Sequence, residues 1–140
     1  MKKQQNVLWN WRMLNITGET RFADIIELAL YNSILATISL DGKKFFYTNP
    51  LARVDNLPFS LRWSRERKPY ISCFCCPPNT VRTIAETSAY VYSLSDRGVW
   101  INLYGGSVLN TQLVGGEAVR LRQQTKYPWD GSVDITLEKV

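Results

Sequence analysis

The sequence contains no histidine, and its three cysteines, Cys73, Cys75 and Cys76, fall within four consecutive positions. An odd, tightly spaced set of thiols excludes a disulfide framework and favours a reducing compartment. Met1 to Gln5 has the charge of a signal-peptide start, but the following Asn6 to Arg12 is too polar to be its apolar core. Long apolar runs are missing as well: Ile25 to Leu40 is interrupted by Glu27, Asn32 and small polar residues, which excludes a membrane span. Internal repeats and low-complexity tracts are also absent. A cytoplasmic protein is expected.

What is present is the composition of one globular core. Apolar residues make up 45% and charged residues 21% of 140 positions, a balance that excludes disordered and collagen-like chains. The net charge of +5 gathers around Arg62, Arg65, Arg67 and Lys68, with Glu66 interrupting. Such a run usually serves as a solvated loop. Five tryptophans beside basic residues could stack nucleic-acid bases, but no RNA-binding signature accompanies them, so neither nucleic acid nor membrane is expected as a partner.

Periodicity divides the chain into helices followed by strands. Val7, Leu8, Trp11 and Leu14 recur at helical spacing up to Gly18, a left-handed cap. Phe22, Ile25, Ile26, Ala29, Leu30 and Ile34 mark a second helix after about four residues of turn, which predicts a helical hairpin. Asp41-Gly42 with Lys43 to Thr48 predicts a small β-hairpin closed by Asn49-Pro50, and Leu51 to Ser72 reads as a long irregular loop. Val81, Ile84, Ala85, Ser88 and Tyr92 form a third helical stripe after Pro77-Pro78. Beyond Gly98, four segments (99–104, 107–114, 117–127 and 132–140) separated by glycine-bearing turns predict a β-meander of about four strands. Nothing remains to cover its second face, so the chain reads as cut at both ends.

The cysteine segment Cys73-Phe74-Cys75-Cys76-Pro77-Pro78-Asn79 therefore falls at a helix N-terminus. Unpaired N–H groups there favour the thiolate, which is the reactive and metal-binding form. Lone buried cysteines are usually inert, but three within four residues point to metal or redox work. Zinc suits soft thiolates and wants four ligands. With no histidine and at most three sulfurs, this segment needs further ligands from elsewhere. The adjacent pair Cys75-Cys76 is unlike the Cys-x-x-Cys spacing of redox proteins and zinc ribbons.

Five ordered segments carry a resemblance. They are Val7 to Met13; Leu30-Tyr31-Asn32 leading to Ile38 to Gly42; Phe45 to Leu51; Cys73 to Asn79 with Arg82; and Tyr127-Pro128-Trp129-Asp130-Gly131. As a set they resemble glycoside hydrolase family 127, whose founding activity is a β-L-arabinofuranosidase. The resemblance implies an α+β chain: the terminal helices of an (α/α)6 barrel, then the first strands of a β-sandwich, truncated at both ends. Residues 1–95 would be the C-terminal part of the catalytic barrel with the cysteine loop, and residues 96–140 the start of the sandwich.

The same resemblance implies retaining hydrolysis by a zinc-bound cysteine, with a glutamate as acid and base. Cys75 matches the nucleophile and Cys76 a zinc ligand, so Cys75 and Cys76 are the expected Zn2+ ligands here. Cys73 matches a neighbouring position that is not counted as a ligand. The family's other ligands lie in a Glu-Thr-Cys segment upstream of the stretch matching Asn6 onward, where Met1 to Gln5 stand in this sequence. No residue here matches those ligands, the acid/base or the histidines lining the sugar pocket, and Glu19 and Glu27 match other positions. The expectation is a glycosidase portion inactive by itself, related to enzymes acting on L-arabinofuranosides and needing a complementary N-terminal chain or self-association. The alternative is a small zinc-binding module or structural remnant without catalysis.

Overall fold

The computed structural model describes residues 2–48, 56, 60–72 and 75–139. Cys73, the expected turn at Asn49-Pro50 and much of the expected loop from Leu51 lie outside these residues. Helix α1 spans Lys2–Thr17 and helix α2 spans Thr20–Ala29, so the intervening turn is two residues rather than about four. Gly18 makes that short turn possible: its φ of +69° lies in the left-handed region, and its N–H donates to the Leu14 carbonyl at 2.8 Å. The apolar stripes of both helices meet as their spacing requires. Val7, Leu14, Phe22, Ile26, Ala29 and Ile34 are buried, and Trp9 stands edge-on to Phe22 with centroids 5.9 Å apart. Each fully buried aliphatic side chain contributes ~1.5–3 kcal/mol of burial. α2 continues through a π-helical turn at Leu30–Ile34 and a 3-10 turn at Leu35–Thr37.

The β-hairpin expected around Asp41-Gly42 reduces to a tight turn with one bridge, Ile38 to Phe45. Phe45 pairs on its other side with Lys68, while Phe46 lies beneath the Arg67 guanidinium at 4.5 Å. Arg67 also donates to the Ala36 carbonyl at 2.8 Å. This arginine of the basic run is therefore a packing element that pins residues 60–72 to the helical part.

Helix α3, Cys76–Ala85, begins one residue before the two prolines, and its buried face differs from the expected one. Cys76, Thr80 and Thr83 point inward while Val81 and Ile84 are exposed. Threonine tolerates this placement because its hydroxyl can bond within the helix: Thr83 Oγ1 donates to the Asn79 carbonyl at 2.8 Å. A short helix α4, Thr87–Tyr90, follows, and its buried Tyr90 packs on Trp11 of α1 at 5.2 Å.

Tyr92 lies not on a helix but at the start of strand β1, Tyr92–Ser95, which pairs antiparallel with β2, Gly98–Ile101. The remaining strands, β3 (Ser107–Gln112), β4 (Ala118–Thr125) and β5 (Val133–Lys139), form a separate three-stranded antiparallel meander. The first expected meander strand thus belongs to the two-stranded sheet, where it pairs with β1, and the Asn102 N–H extends that pairing by donating to the Val91 carbonyl at 2.8 Å. On the meander, Leu121 is flanked by Leu109 and Leu137, whereas Arg120 and Arg122 on the opposite face both engage Glu138, at 2.8 and 2.9 Å. Gln123 connects the two sheets, its Nε2 donating to Tyr92 Oη at 2.9 Å. Helices and small antiparallel sheets together make an α+β chain. Among the described residues, no helix is long and apolar enough to cross a membrane.

Candidate active site

Proline lacks the N–H that a first helical turn leaves unpaired anyway, so Pro77 and Pro78 start α3 without cost and set Cys75 at its N-cap. Asn79 closes the turn, its Nδ2 donating to the Cys75 carbonyl at 2.6 Å. The Cys75 side chain is half-buried and Cys76 buried, and their sulfurs stand 4.0 Å apart.

Tyr47 reaches this pair from 28 residues away. Its Oη lies 3.1 Å from Cys75 Sγ, and its ring packs on Trp63 with centroids 4.2 Å apart. Tyr47 and Trp63 also line a cavity of about 250 Å3 with Glu66, Lys68 and Tyr70. Neither aromatic stood out in the sequence as a site residue; only the position of Tyr47 within Phe45 to Leu51 pointed toward it. Arg82, which carried part of the resemblance, forms an exposed ion pair with Glu86 at 3.8 Å.

The electrostatics of the Cys76 thiol depart from the simple helix-terminus expectation. Burial pushes the Cys76 thiol above its usual range, with the neighbouring Cys75 acting in the same direction. A cation between the sulfurs would reverse this balance. Two thiolates on one tetrahedral zinc, each at ~2.3 Å, stand about 3.8 Å apart, close to the separation here. The pair therefore fits two of four ligand positions. Among the described residues, no group of three or more histidine, cysteine or carboxylate side chains could hold a metal ion.

Residues 3–89 match the family model described as the β-L-arabinofuranosidase GH127 catalytic domain. The chain belongs to glycoside hydrolase family 127. Residues 98–140 match that family's middle domain. A non-reducing end β-L-arabinofuranosidase from Bifidobacterium longum subsp. longum is 33% identical over 135 residues, covering 90% of this chain and 19% of that protein. A solved glycoside hydrolase shares 53% identity with a TM-score of 0.89, over 96% of this chain and 22% of the other. The family 127 β-L-arabinofuranosidase of Geobacillus stearothermophilus T6 shares 37% identity with a TM-score of 0.83, over 96% and 21%. The chain thus spans about a fifth of the length of these relatives.

Proposed function

We propose that this chain carries the nucleophile-bearing part of a retaining glycosidase site for L-arabinofuranosides, with Cys75 as nucleophile and Cys75 and Cys76 as zinc ligands. The observation that supports this most directly is the 4.0 Å separation of the two sulfurs at the start of α3. Cys75 Sγ forms a bond to the anomeric carbon while the glycosidic C–O bond breaks, and the departing oxygen takes a proton from a carboxylic acid. Water then displaces the sulfur at the same carbon and restores the starting configuration. When bound, zinc holds the sulfur as thiolate and makes it a tolerable leaving group. Tyr47 positions Cys75, its phenol donating to the charged sulfur. A cytoplasmic location keeps both thiols reduced.

No residue of this sequence matches the family's acid/base glutamate or its other ligands. A general acid or base contributes on the order of 10²–10⁴ in rate, so these 140 residues alone turn over no glycoside at a useful rate. The helices belong to the end of an (α/α)6 barrel (residues 1–95) and the later strands to the start of a β-sandwich (residues 96–140). A complementary polypeptide, or a second copy, would cover exposed apolar side chains such as Trp9, Ile16 and Leu28.

Zinc analysis of the chain purified under reducing conditions tests the ligand pair, with on the order of one zinc per completed site expected and loss on Cys76→Ala. Protein that remains free of zinc when the metal is supplied in excess together with a complementary chain would end the proposal. Hydrolysis of an aryl β-L-arabinofuranoside by the chain alone should stay at background. Zinc binding without hydrolysis, even alongside a complementary chain, would instead favour a small metal-binding module.

A further inference from the structure

A second cavity, of about 710 Å3, opens between the end of α1, the first two turns of α2 and the β1–β2 hairpin. It shares no lining residue with the thiol pair or with Tyr47. Its volume lies within the ~300–1,000 Å3 usual for small-molecule sites. Trp100 and Tyr104 contribute aromatic surface to it, and both residues are more than two-fifths exposed. The Trp100 ring is held in place: its indole N–H donates to Ser95 Oγ at 2.9 Å, and the Arg97 guanidinium lies 5.9 Å from its centroid.

Around this aromatic wall stand charged groups, of which Arg97 lies near the Trp100 ring. Within the described residues, the Asp24 and Asp96 carboxylates and the Arg97 guanidinium make no hydrogen bond or ion pair with other side chains. Glu27, also on the wall, accepts from Tyr127. Two free carboxylates against one guanidinium disfavour an anion. The guanidinium and the aromatic surface disfavour a bare metal ion. A neutral ring compound with many hydroxyls satisfies all three features: its O–H groups donate to the carboxylates, its oxygens accept from Arg97, and its C–H face packs on an electron-rich ring.

We propose that this cleft is a saccharide-binding site, separate from the thiol pair, which takes a short neutral oligosaccharide with one sugar ring against Trp100. A linear arabinofuranosyl trisaccharide, chemically related to the substrates of family 127, serves as the probe. The full chain, isotopically labelled, is titrated with the trisaccharide while the tryptophan indole N–H resonances are followed. That of Trp100 is assigned by its loss in Trp100→Phe.

A saturable shift of the Trp100 resonance is expected, with a dissociation constant on the order of millimolar. Asp24→Asn, on the exposed side of α2, should weaken binding by ~tenfold or more without disturbing the fold, and Trp100→Ala should abolish it. Cys75→Ala should leave the affinity unchanged. The proposal is overturned if the Trp100 signal does not move, or if Asp24→Asn binds as tightly as the parent. It is also overturned if calcium chloride shifts Trp100 and the sugar does not, or if Cys75→Ala removes binding. None of these results bears on zinc at the thiol pair, so the two proposals fail separately.

Discussion

Tyr127, in the connection between β4 and β5, donates its phenol hydrogen to the Glu27 carboxylate of α2 at 2.5 Å. One hundred residues separate the two, and the bond joins the helical part to the meander. Tyr127 also meets Tyr104 and Tyr31 edge-on, at 6.0 and 6.4 Å.

The hydrogen bond to Glu27, followed by burial, pushes the Tyr127 phenol up to about 12 from an ordinary 10.0. A raised folded-state value means stability that is complete below pH 10 and lost as pH rises through 12. Denaturant midpoints should therefore fall between pH 10 and 12 more steeply in the parent than in Tyr127→Phe. Absorbance at 295 nm should show Tyr127 titrating late together with Tyr90, which burial and Glu86 push to about 12 as well, and with Tyr31, which burial raises; the variant should lose one late-titrating group.

Glu138 behaves in the opposite sense. Its hydrogen bond from Arg122 is the largest cause holding its carboxyl below the ordinary 4.5. That contribution is present above pH 4.5 and disappears as pH falls through the lowered value. Glu138→Gln should melt lower than the parent at pH 7, with the gap closing in acid and narrowing in high salt. Equal gaps at pH 7 and pH 3 would show that the arginine pair contributes nothing.

Ile34 is wholly buried between α2 and the rest of the helical core. Ile34→Ala should cost ~2–5 kcal/mol in guanidinium unfolding, because the cavity can collapse only in part. A loss well below 1 kcal/mol would mean that this core is loosely packed.

The exposure difference at the thiol pair should appear as selective chemistry. Iodoacetamide, followed by peptide mass spectrometry, should modify half-buried Cys75 on the order of tenfold faster than buried Cys76, whose thiol burial also keeps protonated. Equal rates would contradict this arrangement.

At the helix turn, Gly18→Ala should lower stability by ~1–2 kcal/mol, since an alanine at φ +69° is strained even where nothing lies within 4 Å of its methyl group. A neutral result in thermal unfolding would indicate that the turn can relax.

The helical hairpin was legible in the sequence because Val7, Leu14, Phe22, Ile26 and Ile34 repeat at one period and face the same core. The start of α3 was legible because two prolines allow little else. The buried face of α3 was hidden: a hydropathy pattern counts Thr80 and Thr83 as polar, and only the fold provides internal partners such as the Asn79 carbonyl. Tyr47 and Trp63 were hidden for a different reason. Tyr47 meets Cys75 across a stretch whose sequence has no period, Trp63 packs on Tyr47 from within that stretch, and no local signal encodes contact across 28 residues. The split of the strands into two sheets rests on the pairing of β2 with β1, extended by Asn102 bonding back to Val91, another contact without a pattern.

The β1–β2 hairpin has its turn between the stretches that match the catalytic and middle domains. Trypsin cutting after Arg97 would sever the chain there and yet release neither piece. Strand pairing from Tyr92 to Ile101, the Asn102 bonds to Tyr90 and Ser93, and the distant Glu27–Tyr127 contact would still hold the products together. A single nick would leave two peptides migrating as one particle until denaturant parted them.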